Sequence, residues 1–314
     1  MTGLATINAL LADEDDRLTQ AFEAPRWPVT LVVSPPRAGS ALFQQLALSC
    51  TGIGTVSNVL ARFWRAPYLG ALLEQDLKDP DYVSHLKSYG SHYNPVGAHE
   101  PHEWGWFWQH WLRLEGDDHY CSPDRPVDAA GLNRKLAAIE AAKEAPLLFD
   151  NVFAWCNLDV VGDILPRVLL VVLKRDPYYL CNSILNARAD RYGDVRAWHS
   201  HRPRNIDELL AIDDPVAQTV AQVHAILAEI DACVATVDPA DVFAVEYPDL
   251  VGKPQELMRR FVAFLGDLGI EADLRDPLPA FPQLRNRNTP EFINPLYKDR
   301  LDRCFRDTFG VEPG

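Results

Sequence analysis

The chain has 314 residues, 47% hydrophobic and 24% charged, with a net charge of −14. That is enough for one large α/β domain or two smaller ones, and the composition is ordinary for a globular protein. The acidic balance argues against nucleic acid or a polyanionic glycan as main partner and leaves room only for a local basic pocket. No apolar run approaches the ~20 residues needed to cross a bilayer, and the acidic first residues carry no basic segment, so neither a membrane span nor a signal peptide is expected. The cysteines at 50, 121, 156, 181, 233 and 304 form no C-x-x-C pair. They read as reduced, mostly buried thiols of a cytoplasmic protein, not a disulfide frame or zinc site.

Residues 4–23 read as a helix leading into Pro25-Arg26-Trp27-Pro28. The apolar run 29–34 then reads as a strand covered on both faces. It stops at Ser34-Pro35-Pro36, followed by Arg37, Gly39, Ser40 and a helical pattern from Leu42. A strand, a tight glycine turn and a helix start aim free backbone N–H groups and the positive end of the helix dipole at one spot, which suits an anion. The G-x-x-x-x-G-K-[ST] pattern of nucleotide triphosphatases is absent, because Gly39 is followed by Ser40-Ala41. An arginine two residues before the glycine suits a phosphate or sulfate held without a magnesium-binding hydroxyl.

Residues 52–145 are too long for a simple crossover and read as a helical insertion that builds the acceptor pocket. Within it, His99-Glu100-Pro101-His102-Glu103 directly precedes a helix. A base for a hydroxyl is expected there. Glu103 or His99 is favoured, with His102 and Glu100 as alternatives or orienters, although a carboxylate in a first turn is also a good helix starter. No H-E-x-x-H pattern supports a metal. Trp104, Phe107, Trp108 and Trp111 follow at i, i+3, i+4, i+7, a core-facing stripe whose pocket end, with His102, Trp104 and Trp108, is a candidate acceptor surface.

Three further strands are expected at 146–150, 168–173 and 241–246. Asn151 and Asn157, around the second strand end, fit pocket polarity and turn chemistry equally well. Strand three runs into Arg175-Asp176-Pro177, with Pro177 in the first helical turn and Ser183 about two turns further on. Arg175 and Ser183 are placed to hold one phosphate between guanidinium and hydroxyl. An apolar stripe from Val216 to Val234 marks another helix, and Leu257 to Leu268 a second. Residues 275–295, with five prolines and three arginines, read as an irregular loop before a last helix at 295–309. Strands alternating with helices give a doubly wound parallel sheet, with ligands beyond the carboxyl ends of the strands.

The chain resembles the sulfotransferases that use 3′-phosphoadenosine-5′-phosphosulfate (PAPS), in particular the bacterial soluble branch, over roughly residues 28–309. The resemblance rests on three motifs in order: Pro36-Arg37-Ala38-Gly39-Ser40-Ala41-Leu42, Arg175-Asp176-Pro177 with Ser183, and Val245-Glu246-Tyr247-Pro248-Asp249-Leu250 before Phe264-Leu265-Gly266. It implies a single α/β domain over 1–314 with a P-loop-like sheet, flanking helices and the insertion after the first strand unit. It further implies that residues 37–41 hold the 5′-phosphosulfate, Arg175 and Ser183 the 3′-phosphate, Tyr247 the adenine, and Arg285 or Arg287 a closing basic loop. Arg37 would neutralise the leaving group. No metal is implied. The acceptor is expected to be small, neutral or aromatic, without nucleic acid or membrane; a homo-oligomer is compatible. Two departures stand out: Ala38 and Ala41 replace small hydroxyl residues, and Pro248 replaces a glutamate. A kinase on the same architecture, with Asp150 as its magnesium carboxylate, and a non-catalytic nucleotide-binding protein are the rival readings.

Overall fold

The computed structural model of the chain describes residues 3–79, 81–86 and 97–313. Among them, four parallel strands make one sheet: β1 (Val29–Val33), β2 (Leu148–Asp150), β3 (Val168–Lys174) and β4 (Val242–Glu246). The order is β2-β1-β3-β4, with Val32 opposite Asp150 and Val33 opposite Val172. The chain leaves β1 toward one side for β2 and returns to the other side for β3. The sheet therefore reverses its direction of winding between β1 and β3, and the crevice such a reversal opens lies at their carboxyl ends.

Alternation along the strands divides the core into two layers. Val32, Leu169, Val171 and Leu173 face helices Ser40–Cys50, Pro177–Tyr192, Pro254–Asp267 and Lys298–Phe309. Val29, Leu31, Val33, Leu170 and Val172 face the opposite layer, which includes helices Gly105–Trp111 and Ala129–Lys143 of the insertion. β1 and β2 are buried throughout, as their continuous apolar runs predict. β4 departs from that expectation. It lies at one edge of the sheet, and Ala244 and Glu246 are exposed, whereas β2 at the other edge is covered.

Element boundaries move by a few residues. The first helix is Gly3–Leu18, and the last begins at Lys298. The segment after β4 is two helices, Tyr247–Gly252 and Pro254–Asp267, each with a proline in its first turn where the missing N–H costs nothing. The irregular segment before the last helix is anchored by side chains of helix Pro177–Tyr192. The Asn182 amide donates to the Phe292 carbonyl (2.9 Å), and the Asn294 amide donates to Asn186 (2.8 Å).

The first helix is fastened to the insertion by a buried ion pair. Lys135 Nζ lies 2.7 Å from Asp15 Oδ2, both side chains are almost wholly buried, and Lys135 also donates to Thr19 at 2.9 Å. Burial pushes the Asp15 carboxyl up, against the pull of Lys135 and the Leu69 N–H. Removing one partner of such a pair strands a charge. Lys135→Ala should lower stability by about 3–5 kcal/mol in urea unfolding; a loss under 1 kcal/mol would show that water replaces the lysine.

Candidate active site

The loop after β1 is held by its own backbone. The Ala38 N–H closes a turn onto the Pro35 carbonyl (3.2 Å), Arg37 has φ of 73° and Gly39 φ of 103°. Helix Ser40–Cys50 follows with no side-chain cap, so its first N–H groups face outward without intrahelical partners. A Cβ at Gly39 would meet Leu250 at 2.8 Å and Tyr247 at 3.7 Å. The glycine is thus required twice, by its dihedral angle and by the helix that starts at Tyr247. Ala38 is buried in the core, so a hydroxyl there would not reach a ligand.

The end of β3 meets this loop directly. Arg175 Nη1 donates to the Arg37 carbonyl (2.6 Å) and Nε to Asn288 (2.7 Å), while the guanidinium covers the Tyr247 ring at 4.4 Å. Tyr247 is 6% exposed, packed between Arg175 and the loop rather than open to a stacking base. Asp176 caps the next helix, and Ser183 on it accepts a hydrogen bond from Arg37 Nε (3.2 Å). Burial pushes the Arg37 guanidinium down, with Arg287 and Arg191 adding to the fall, and burial does the same to Arg175, joined by Arg37 and Arg287. The Arg287 charge therefore acts on both Arg37 and Arg175, and the Arg191 charge on Arg37, while Asp190 opposes at Arg37 and Asp176 at Arg175. Arg285 is not among them: it pairs with Glu291 at 3.2 Å and covers Phe292 at 4.4 Å.

Carboxylates occupy the neighbouring strand end. Asp150 closes β2 and is buried, with the Ser40 and Gln44 side chains facing it. Asn151 caps the next helix and donates from Nδ2 to the Glu103 carbonyl (2.9 Å). His102 Nδ1 accepts the Trp104 N–H (2.8 Å), and Trp104 is held at φ of 54°. These contacts leave Glu103 exposed at the start of helix Gly105–Trp111. Burial, then the Asp150 charge, push the Glu103 carboxyl up to about 7, and Arg191 opposes them. Burial also raises Asp150.

The other residues singled out in the sequence are placed elsewhere. Glu100 is buried under hydrogen bonds from Gln45, Tyr82, Ser84 and the His85 N–H, which outweigh desolvation and lower its carboxyl. His99 lines a separate cleft of about 320 Å³ with Thr51, Glu74 and Tyr82. Thr51 is at the far end of helix Ser40–Cys50, about 16 Å from the loop. Trp104 and Trp108 are buried beside Phe149 and His102 is buried against Trp106, so the three do not form an open acceptor wall. Asn157 holds the Cys121 N–H and the His119 and Phe153 carbonyls, a structural role. A larger cavity of about 750 Å³, lined by Trp155, Arg167 and Glu229 among others, lies at the opposite end of β3. Among the described residues no group of three or more His, Cys, Asp or Glu is arranged to hold a metal.

Sequence reading missed Arg191 and His199. Arg191 lies eight residues beyond Ser183, two turns along the same helical face, a spacing that was there to be read. His199 is buried, and burial followed by the Arg37 and Arg191 charges push it down to about 4. No local pattern announces it.

A model of the sulfotransferase family matches residues 28–267. The chain belongs to the sulfotransferase family. Sulfotransferase STF1 from Mycobacterium tuberculosis H37Rv is similar in structure, with a TM-score of 0.51 and 17% identity over 85% of this chain and 74% of that one. Sulfotransferase STF9 from Mycobacterium avium gives 0.50 and 16%, covering 95% and 81%. At such identities the likeness is one of fold, and it extends the α/β architecture over most of this sulfotransferase. A search of curated proteins finds no match. The loop on which this sulfotransferase depends is sensitive at one atom. Gly39→Ala should destabilise it by about 1–3 kcal/mol through the strained dihedral and the Leu250 contact; an unchanged urea midpoint would mean that the loop relaxes freely.

Proposed function

We propose that this sulfotransferase moves the sulfuryl group of PAPS to a hydroxyl of a small acceptor and releases adenosine 3′,5′-bisphosphate (PAP). The observation that carries this reading is the meeting of Arg37 and Arg175 at the loop before helix Ser40–Cys50, with the Arg287 charge acting on both and Arg191 on Arg37, in a chain of net charge −14. Mutually repelling cations beside unpaired N–H groups are stabilised by an anion. Their spread over two strand ends suits a donor with two separate anionic groups. Residues 37–41 would hold the phosphosulfate through backbone N–H groups, and Arg175, Ser183 and Arg287 the 3′-phosphate.

The donor supplies an activated sulfuryl group. The chain's own residues do the remainder: Arg37 offsets charge on the leaving phosphate, and Glu103 takes the acceptor proton. No protein group need bond to sulfur, so positioning and charge do most of the work. Asp150 and Glu103 disfavour an anionic acceptor, which supports a neutral one. The aromatic argument from Trp104 and Trp108 falls away with their burial. Six unpaired cysteines suit a reducing, cytoplasmic setting.

Calorimetry separates this reading from its rivals. PAP should bind, ADP should bind more weakly, and ATP with magnesium should gain nothing; a preference for magnesium-ATP would point to a kinase, and PAP binding with no turnover on any hydroxyl acceptor to a binding protein. Arg287→Ala should weaken PAP binding while Arg285→Ala leaves it intact, and equal losses would remove the distinction drawn from the structure. Arg37→Ala should lower kcat by about 10²–10³. Because Glu103 acts as a base only when ionised and is raised to about 7, kcat/KM should fall as pH drops through about 7. A profile flat between pH 5 and 8 would exclude Glu103 as the base.

A further inference from the structure

We propose that Asn288 is a positioning residue of the donor site, whose neutral amide orients the Arg175 guanidinium and leaves its charge for an anion. This inference rests on the reading of Arg175 as a ligand of the donor's phosphate. Arg175 Nε donates to Asn288 Oδ1 at 2.7 Å, Nη1 donates to the Arg37 carbonyl at 2.6 Å, and the guanidinium covers the Tyr247 ring at 4.4 Å. Arg37 in turn donates from Nε to the Ser183 hydroxyl at 3.2 Å. Each of these partners is uncharged. Arginines elsewhere pair with carboxylates, as Arg167 does with Asp241, Arg260 with Asp249 and Arg285 with Glu291; among the described residues neither Arg37 nor Arg175 has such a pair. Asp176, next to Arg175 in the chain, caps the following helix by accepting the Tyr178 N–H at 2.9 Å.

Asn288 is itself held from two sides. Before it, Asn286 Oδ1 accepts the Asn288 N–H at 2.9 Å. After it, the Asn182 amide donates to the Phe292 carbonyl, Asn182 Oδ1 accepts the Asn294 N–H, both at 2.9 Å, and the Asn294 amide donates to Asn186 at 2.8 Å. Asn182 and Asn186 are one turn apart on the helix that carries Ser183. One rigid element thus anchors the hydroxyl that meets Arg37 and the segment that meets Arg175.

An amide oxygen fixes the plane of a guanidinium and leaves its charge intact, whereas a carboxylate at the same distance cancels it. The segment uses both: Arg285 faces Glu291, and Arg175 faces an amide. An aspartate at 288 keeps the acceptor oxygen and adds a charge. In the free protein that charge pairs with Arg175 and offsets the Arg37 and Arg287 charges, so stability rises. With an anion bound it is a like charge beside the ligand, so affinity falls. A merely structural residue would move stability and affinity in the same direction.

Urea unfolding of the free protein and calorimetry with PAP on wild type, Asn288→Asp and Asn288→Ala test this. Asn288→Asp should raise the urea midpoint and weaken PAP binding by about tenfold or more. Asn288→Ala should weaken it less, by about two- to tenfold. An Asn288→Asp midpoint at or below that of wild type, or an unchanged PAP affinity, would overturn the proposal. On the Arg175→Ala background, Asn288→Ala should add no further loss. A separate loss would mean that Asn288 meets the ligand itself, and the positioning role fails; this comparison decides the matter if Asn288→Asp does not fold. If wild type does not bind PAP, the donor reading fails. The same comparison with inorganic phosphate then decides this inference, and equal phosphate affinity in wild type and Asn288→Asp overturns it.

Discussion

Burial and like charge act together on the two arginines of the loop after β1 and the end of β3. Burial pushes Arg37 and Arg175 down, the Arg287 charge adds to both and the Arg191 charge to Arg37, Asp190 and Asp176 oppose the fall, and the first turn of helix Ser40–Cys50 adds its own positive end. The fold opposes the repulsion with fixed contacts that need no ligand. Arg175 is locked by the Arg37 carbonyl, Asn288 and the Tyr247 ring, and Arg37 is steadied by Ser183. Each of these partners comes from a different stretch of chain, so the winding of the sheet itself holds the cluster together. A site built in this way is preorganised for an anion and does not have to gather its charges when the anion arrives.

The turn that carries Glu103 rests on a different device, backbone strain. Trp104 is a bulky residue at φ of 54°, and Arg37 lies at 73°. Such conformations cost about 1–3 kcal/mol each and persist only where neighbours over-determine them. At Trp104 the neighbours are visible: a fully buried indole in the core, His102 receiving its N–H, and Asn151 holding the preceding carbonyl. The outcome is that Glu103 leaves a buried segment and enters the crevice. The buried tryptophans thus act at a distance. They line no open surface, but they fix the turn from which the Glu103 side chain emerges.

How much of this was legible in sequence depends on the range of the signal. Strand runs and the Pro-Arg-x-Gly turn are local, and the sheet with the glycine turn after β1 could be read directly. The meeting of Arg37 with Arg175 followed from the topology of parallel sheets. The cluster at 99–103 could not be resolved by pattern, because neighbouring residues in a turn point in opposing directions. Glu100 is turned into a buried hydrogen-bond cage, His99 into another cleft and Glu103 into the crevice. Asp150 was read only as an outside candidate for a magnesium ligand, since nothing local to a strand end reveals that the Ser40 and Gln44 side chains will face it. Likewise, the choice between Arg285 and Arg287 turned on Glu291 and Phe292, contacts that no linear spacing encodes.

The loop's departure from the usual family pattern has a physical answer that differs between its two alanines. At position 38 the side chain points into the core beside Phe43 and Leu46, so alanine there removes no phosphate donor and adds to the packing of the helix on the sheet. At position 41 the side chain is half-buried on the first helical turn, where a hydroxyl would have stood beside the loop's free N–H groups. Ser40, the hydroxyl that remains, faces Asp150. With one hydroxyl absent and the other facing a carboxyl, the loop's hold on an anion falls chiefly to main-chain N–H groups and arginines. Main-chain donors are fixed by the turn itself, and Gly39 is what sets that turn. The demand that a family usually spreads over several hydroxyls is here concentrated on a single glycine packed against Leu250 and Tyr247.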